Sequence, residues 1–169
     1  MSSVLGWTYF FAWTLSFYPQ VLLNCRRKTT LGFSTDKLVF DVVGFGCYSV
    51  YCYAFRYVPS VRASYEEAHH GHSPSVQLNG VAFGLHALAL TLVQVWQVLL
   101  YDGRAQASSR RSLAAGGGAV LTCALFLALC LLLDSSVFVV LNWLYFLSIV
   151  KIAVTLVKFA PQMLLNQSR

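Results

Sequence analysis

Phe17-Tyr18-Pro19-Gln20-Val21-Leu22-Leu23-Asn24 recurs near the other end of the chain as Phe159-Ala160-Pro161-Gln162-Met163-Leu164-Leu165-Asn166. Six of the eight positions are identical, and the copies lie 142 residues apart. Each copy sits toward one end of a long apolar segment, so F-x-P-Q-x-L-L-N occupies matched places. A proline inside a helix has no N–H to donate and crowds the carbonyl four residues back. Pro19 is therefore expected to free the carbonyl of Leu15, and Pro161 that of Val157. The helix bends at such a point, and polar neighbours or water must satisfy the freed group. Gln20 and Gln162 put an amide beside each proline, and Asn24 and Asn166 lie one turn further along the same face. Internal repeats with broken helices are a sequence signature of secondary transporters.

The rest of the chain agrees with a membrane setting. Of 169 residues, 57% are apolar and 11% are charged, and the mean hydropathy is +0.63. Soluble domains carry about a quarter charged residues, and disordered chains combine low hydrophobicity with high charge. Both classes are excluded, which leaves an integral membrane protein. Segments 4–24, 38–58, 79–101, 113–133 and 137–166 each reach the roughly 20 residues that a spanning helix needs. The ten-residue alternating strands of a β-barrel are absent. The expectation is an all-α protein with five transmembrane helices. The first segment begins almost at Met1 without a basic leader or a small-residue cleavage site, so it reads as a span and not as a cleaved signal.

Charge placement orients the chain. Loop one carries Arg26, Arg27, Lys28 and Lys37, loop three carries Arg104, Arg110 and Arg111, and the tail ends in Arg169. Loop two balances Arg62 with Glu66 and Glu67, and loop four holds Asp134. With five spans, the three basic regions share one side, which the positive-inside rule places in the cytosol. The N-terminus then faces outside or a lumen. The net charge of +6 thus marks a membrane side and not a nucleic-acid surface.

Five cysteines without a Cys-x-x-Cys suggest neither a disulfide framework nor a zinc site. They read as small apolar fillers. His69-His70-Gly71-His72 reads as part of a solvated polar loop, since no other His, Asp or Cys cluster completes a metal shell, with pH sensing or adventitious metal binding as the alternatives. No metal and no cofactor are expected. No nucleophile–base set or cofactor motif points to an enzyme.

Ionisable residues inside spans are functional candidates by default. These are Asp41, His86, Lys151 and Lys158. Asp41 is read either as a proton-carrying carboxylate or as a helix-start acid at the interface. His86 is read as a hydrogen-bonded interior histidine or a proton relay. Lys151 and Lys158 are seven apart and share a helix face, with Lys158 just before Pro161. Gly80 and Gly84 form a G-x-x-x-G that permits close helix packing.

The repeat divides the chain. Residues 1–101 form a first three-helix unit, 102–136 a linker with a connecting helix, and 137–169 the first helix of a second, incomplete unit. Read this way, two spans of a three-plus-one-plus-three plan are missing, and the chain is expected to be truncated at its C-terminus.

The motif residues resemble a known family. Gly6-Trp7-Thr8-Tyr9-Phe10, Ser16 through Gln20, Asn24 with Arg26-Arg27-Lys28, Gly84-Leu85-His86-Ala87 and Lys151 through Gln162 are similar to the cystinosin branch of the PQ-loop transporters. The resemblance implies a PQ-loop, SWEET-like repeat fold and proton-coupled export of L-cystine across the lysosomal membrane. It implies that Pro19 and Pro161 are hinges for alternating access. Trp13, Phe17, Gln20, Gln162 and Asn166 would border the substrate pocket, and Lys151 and Lys158 match lysines of the family's fifth helix. Protons would be the coupling ion, with Asp41 and His86 as the candidates in this chain. Asn79-Gly80 stands where the family commonly has an aspartate, and Asp41 where its first repeat typically has asparagine. The family's sixth-helix aspartate lies beyond Arg169. The alternatives are a non-transporting fragment, an accessory membrane protein, or a half-transporter that works as a homo-oligomer.

Overall fold

The computed structural model describes residues 2–102, 110–133 and 137–167, with side chains for residues 4–102, 110–132 and 139–158. Among the described residues six helices follow one another: α1 Ser2–Arg27, α2 Thr35–Tyr57, α3 Pro59–Ala68, α4 Leu78–Tyr101, α5 Arg110–Leu133 and α6 Val137–Gln167. There is no strand among the described residues. Thr35–Tyr57, Leu78–Tyr101, Arg110–Leu132 and Val139–Lys158 are long and apolar enough to cross a membrane. α1 has the length at 26 residues, but Thr8, Thr14, Ser16, Gln20 and Asn24 make it more polar, and it is not among these four.

The helix ends follow local chemistry. Ser34 caps α2, its hydroxyl accepting from the backbone N–H of Lys37 at 3.2 Å, and Asp36 sits in the first turn. A side-chain oxygen at this position satisfies one of the donors that a helix start leaves open. Val58 ends α2, and Pro59 begins α3 at a position where a missing N–H costs nothing. The segment after α2 was expected to be a plain polar loop, yet it forms α3. Only one side of α3 is apolar, and Val61 drives that side into the core. Loop one turns at Lys28 and Gly32, which have φ of 53° and 90°.

α2 is the central helix. It packs chiefly on α4 and α6 and also meets α5 and α3, while α1 lies on α4 and α5 lies on α6. One apolar cluster joins Phe55 of α2, Val61 of α3, Cys123 of α5 and Leu141, Leu144 and Leu147 of α6. Trp143 donates its indole N–H to the carbonyl of Cys123 at 2.9 Å, fixing α6 against α5. His69 ends α3 with its ring stacked on Tyr65, centroids 4.0 Å apart.

The α2–α4 contact depends on small residues. A Cβ placed on Gly84 would lie 3.1 Å from Tyr48 Cδ1, 3.2 Å from Ser49 Oγ and 3.3 Å from Ser49 Cα. Gly80 faces Tyr48 and Cys52 in the same seam. The G-x-x-x-G spacing thus brings two backbones together, as it does in membrane helix pairs generally. By contrast, Gly117 on α5 has nothing within 4 Å of its added Cβ. Gly84→Val should therefore lose about 1–3 kcal/mol through overpacking. Gly117→Ala should be neutral or gain up to about 1 kcal/mol from helix propensity. Thermal unfolding in detergent checks both, and equal melting temperatures for the two variants would contradict this seam.

Candidate functional site

Two polar systems run through the apolar interior. The first joins α1 to α4 around the proline of the repeated motif. Gln20 donates to Asn24 Oδ1 at 2.9 Å, which places the two motif amides on one face as their spacing predicts. Asn24 is buried and donates to Gln97 Oε1 of α4 at 3.1 Å. Gln97, itself 1% exposed, returns its amide to the carbonyl of Val21 at 3.0 Å and to Cys25 Sγ at 3.0 Å. Buried amides are costly unless paired, and here the pairing ties two helices. Gln97 was not singled out from the sequence. Its signal was an amide in a segment that has no charge. On the other side of Pro19, the Tyr18 hydroxyl and His86 Nε2 of α4 are 3.2 Å apart. His86 also meets the Phe10 ring edge-to-face at 6.2 Å.

The second system lies between α2 and α6. Lys37, Asp41, Phe45, Tyr48 and Cys52 recur at helical spacing and form one stripe of α2. Lys151, Val154 and Lys158 form the facing stripe of α6, and Val154 Cγ1 lies 3.6 Å from where a Cβ on Gly44 would sit. Asp41 is buried and makes two ion pairs. Lys158 Nζ is 2.6 Å from Oδ1, and Lys37 Nζ is 2.7 Å from Oδ2. Lys158 is largely buried, whereas Lys37 is 45% exposed. Lys158 also lies over the Phe45 ring at 5.8 Å, and Lys151 over the Tyr48 ring at 5.3 Å. Phe83 of α4 meets both Phe45 and Tyr48, at 6.1 and 6.2 Å, and Phe17 of α1 meets Phe45 at 5.7 Å.

Of the sequence-chosen residues, Phe17, Asp41, Lys151 and Lys158 thus fall into one aromatic and charged cluster. Gln20 and His86 belong to the α1–α4 system. Trp13 stands apart, 47% exposed and touching Tyr9. Pro19 is contained within α1, which continues through it to Arg27. Pro161, Gln162 and Asn166 fall within α6, but their side chains lie outside the described ones. Three ammonium groups against one carboxylate leave the α2–α6 face with net positive charge. Aromatic rings around that charge suit a small zwitterion carrying carboxylates, since cations and rings together recognise charged and apolar parts of one molecule.

A third contact fixes the end of the α1–α4 pair. Asp102, just past α4, accepts from the backbone N–H and the hydroxyl of Thr30, and from Thr29 Oγ1 at 2.9 Å. Hydrogen bonds from the Thr30 hydroxyl and then its backbone N–H hold the Asp102 carboxyl below its usual range. A lowered folded-state value means that the contact contributes stability above the unfolded carboxylate range, near pH 4. That contribution fades as pH falls through the folded value. Asp102→Ala should therefore lower the melting temperature by a constant amount between pH 7 and pH 5, and by less below about pH 4. A difference that grows on acidification would contradict the assignment.

Residues 1–61 match the PQ loop repeat family. Cystinosin of Bos taurus is 39% identical over 98% of this chain and 44% of its own length. The cystinosin homolog of Dictyostelium discoideum is 36% identical over 98% of the chain and 57% of its own length. Cystinosin of Drosophila melanogaster is 34% identical over 99% and 42%. The chain spans about half the length of these curated relatives.

Proposed function

We propose, for a chain that belongs among the cystinosin-type PQ-loop proteins, that it takes part in proton-coupled export of L-cystine across the lysosomal membrane. The carrying observation is the α2–α6 face, where Lys151, Lys158 and Asp41 meet Phe17, Phe45, Tyr48 and Phe83. Cystine has two carboxylates, two ammonium groups and a disulfide between them. The lysines match the carboxylates, and the rings match the apolar sulfur bridge. Gln20, Gln162 and Asn166 are proposed as polar borders of the same pocket, with Trp13 at its edge. Pro19 and Pro161 are proposed as the hinges.

The proposed topology has five spans, with α1 as the first, the N-terminus in the lumen and loops one and three in the cytosol. Residues 1–101 are then a three-helix repeat, α5 is the connecting helix, and α6 opens a second repeat. Arg26 and Arg27 in the last turn of α1, Lys28 just beyond it, and Arg110 and Arg111 at the start of α5 support this orientation. Asp41 and His86 are the proposed groups for proton coupling.

The test is uptake of radiolabelled L-cystine into vesicles containing the purified chain. Uptake should exceed that of empty vesicles and rise when the side supplying cystine is acidic. Lys151→Gln should reduce initial uptake at least about tenfold, the loss expected from removing a charged hydrogen bond to substrate. Uptake no greater than in empty vesicles would reject transport by this chain alone. Recovery of uptake only on mixing with a second chain, such as a tagged copy of itself, would instead support a half-transporter.

A further inference from the structure

The end of α1 and the loop after it read Arg26-Arg27-Lys28-Thr29-Thr30. Two arginines followed, after one further residue, by a hydroxyl make the charge pattern that basophilic serine/threonine kinases select, because an acidic peptide groove matches guanidinium groups. Burial decides between the two threonines. Arg26, Arg27 and Lys28 are exposed and Thr29 is half-buried, whereas Thr30 is 1% exposed. Lys28 and Gly32 turn the backbone with positive φ on either side of Thr29, and Leu31 is exposed, so the Thr29 hydroxyl sits in a short surface turn. A kinase binds such a stretch extended, which requires the last turn of α1 to open, as helix ends readily do. Opening back to Cys25 loses the hydrogen bond from the Lys28 N–H to the Asn24 carbonyl and leaves the buried Asn24–Gln97 pair in place. Arg110-Arg111-Ser112 offers the same residue types, but Ser112 follows its arginines directly and is buried.

We propose that Thr29 is a phosphorylation site for a basophilic kinase, and that its phosphate releases loop one from the end of α4. This does not depend on which solute is carried. It rests only on the proposed placing of loop one in the cytosol, where ATP and kinases are found. In the transfer, Thr29 Oγ1 attacks the γ-phosphorus of ATP. A new P–O bond forms, the bond from that phosphorus to the β–γ bridging oxygen breaks, ADP leaves, and the hydroxyl proton passes to the kinase's own base.

The consequence follows from what Thr29 touches. Its hydroxyl donates to Asp102 Oδ1 at 2.9 Å and accepts from the Leu31 N–H at 3.2 Å. The ester oxygen of phosphothreonine has no proton to donate, so the bond to Asp102 is lost. The phosphate also brings about −1.5 to −2 charges at pH 7, next to a carboxylate that the Thr30 hydrogen bonds keep ionised. Like charges so close repel. Arg26 and Arg27, in the last turn of α1, offer the phosphate forked donors on the other side. Attraction to α1 and repulsion from Asp102 act in the same direction and draw loop one off α4. The Tyr18–His86 and Asn24–Gln97 contacts lie further along the pair and keep their partners.

The experiment incubates the purified full chain in detergent with γ-labelled ATP and the catalytic subunit of cyclic-AMP-dependent protein kinase, and locates the label by mass spectrometry. Label should fall on Thr29, and Thr29→Val should lose most of it. The phosphorylated native chain should melt about 2–4 °C below the unmodified chain, the shift expected for losing one such contact in a chain of this size. In Asp102→Asn the repulsion is absent, so phosphorylation should lower the melting temperature by clearly less. Sealed organelles from cells that express the chain should take up label at Thr29 from kinase added outside, without detergent. No label, label on Ser112 in place of Thr29, or an equal melting shift in Asp102→Asn would overturn the proposal. Label at Thr29 only after detergent would overturn the cytosolic placing and the switch with it. Should Asp102→Asn not yield folded protein, the phosphorylated native chain is melted at low and high salt. Screening should shrink the shift at high salt, and an unchanged shift overturns the electrostatic release. None of these outcomes depends on uptake of cystine, so the transport reading stands or falls separately.

Discussion

A carboxylate placed between apolar helices must find a cation, because an isolated buried charge costs far more than a fold can supply. Asp41 meets that condition with Lys158 of α6 and Lys37 of its own helix. The pair does more than neutralise. It fixes the rotation of α2, since the residues at helical spacing from Asp41 must then face α6 as well. Phe45 and Tyr48 follow Asp41 onto that face and receive the two lysines on their rings. It also fixes the height of α6, because Lys158 and Lys151 are two turns apart and must meet matching positions on α2. Breaking a buried pair by removing one partner typically costs about 3–5 kcal/mol, so the register of the two helices is strongly set.

The other face of α2 is governed by close approach. Gly80 and Gly84 let α4 come near Tyr48 and Ser49, which leaves little room for anything but a fixed contact. Phe83, adjacent in sequence to Gly84, is carried into the centre and touches α1 and α2 aromatics. The aromatic cluster and the charged face are thus consequences of two different constraints acting on opposite sides of one helix. One is electrostatic, and the other is steric.

Much of this was legible in the sequence, for identifiable reasons. The long helices were found because lipid demands long apolar segments. Their ends moved by a few residues where caps outweighed hydropathy. Ser34 and Asp36 start α2 three residues before the apolar window at Leu38. α3 was read as loop because it is short and polar, and its burial rests on a few residues such as Val61. Asp41, Lys151 and Lys158 stood out because charge in a span is rare. Their meeting did not, since residues 117 apart in one chain carry no local sign of contact. Gln97 was missed because it is uncharged, although a buried amide in lipid raises the same question as a charge. Trp13 was included through family resemblance, and its exposure shows that a residue one turn from Phe17 need not share its surroundings.

The contacts between α1 and α4 bear on what Pro19 is able to do. Tyr18 and His86 fasten the helices beside the proline, Asn24 and Gln97 fasten them one turn beyond it, and Thr30 and Asp102 close the end. Three fastenings along one line make the two helices a stiff composite beam, not a rod leaning on its neighbour. A bend of α1 at Pro19 must therefore carry α4 with it or break a buried amide pair. Flexure at the proline is converted into movement of a two-helix unit, which is seated on α2 through the Gly80–Gly84 seam.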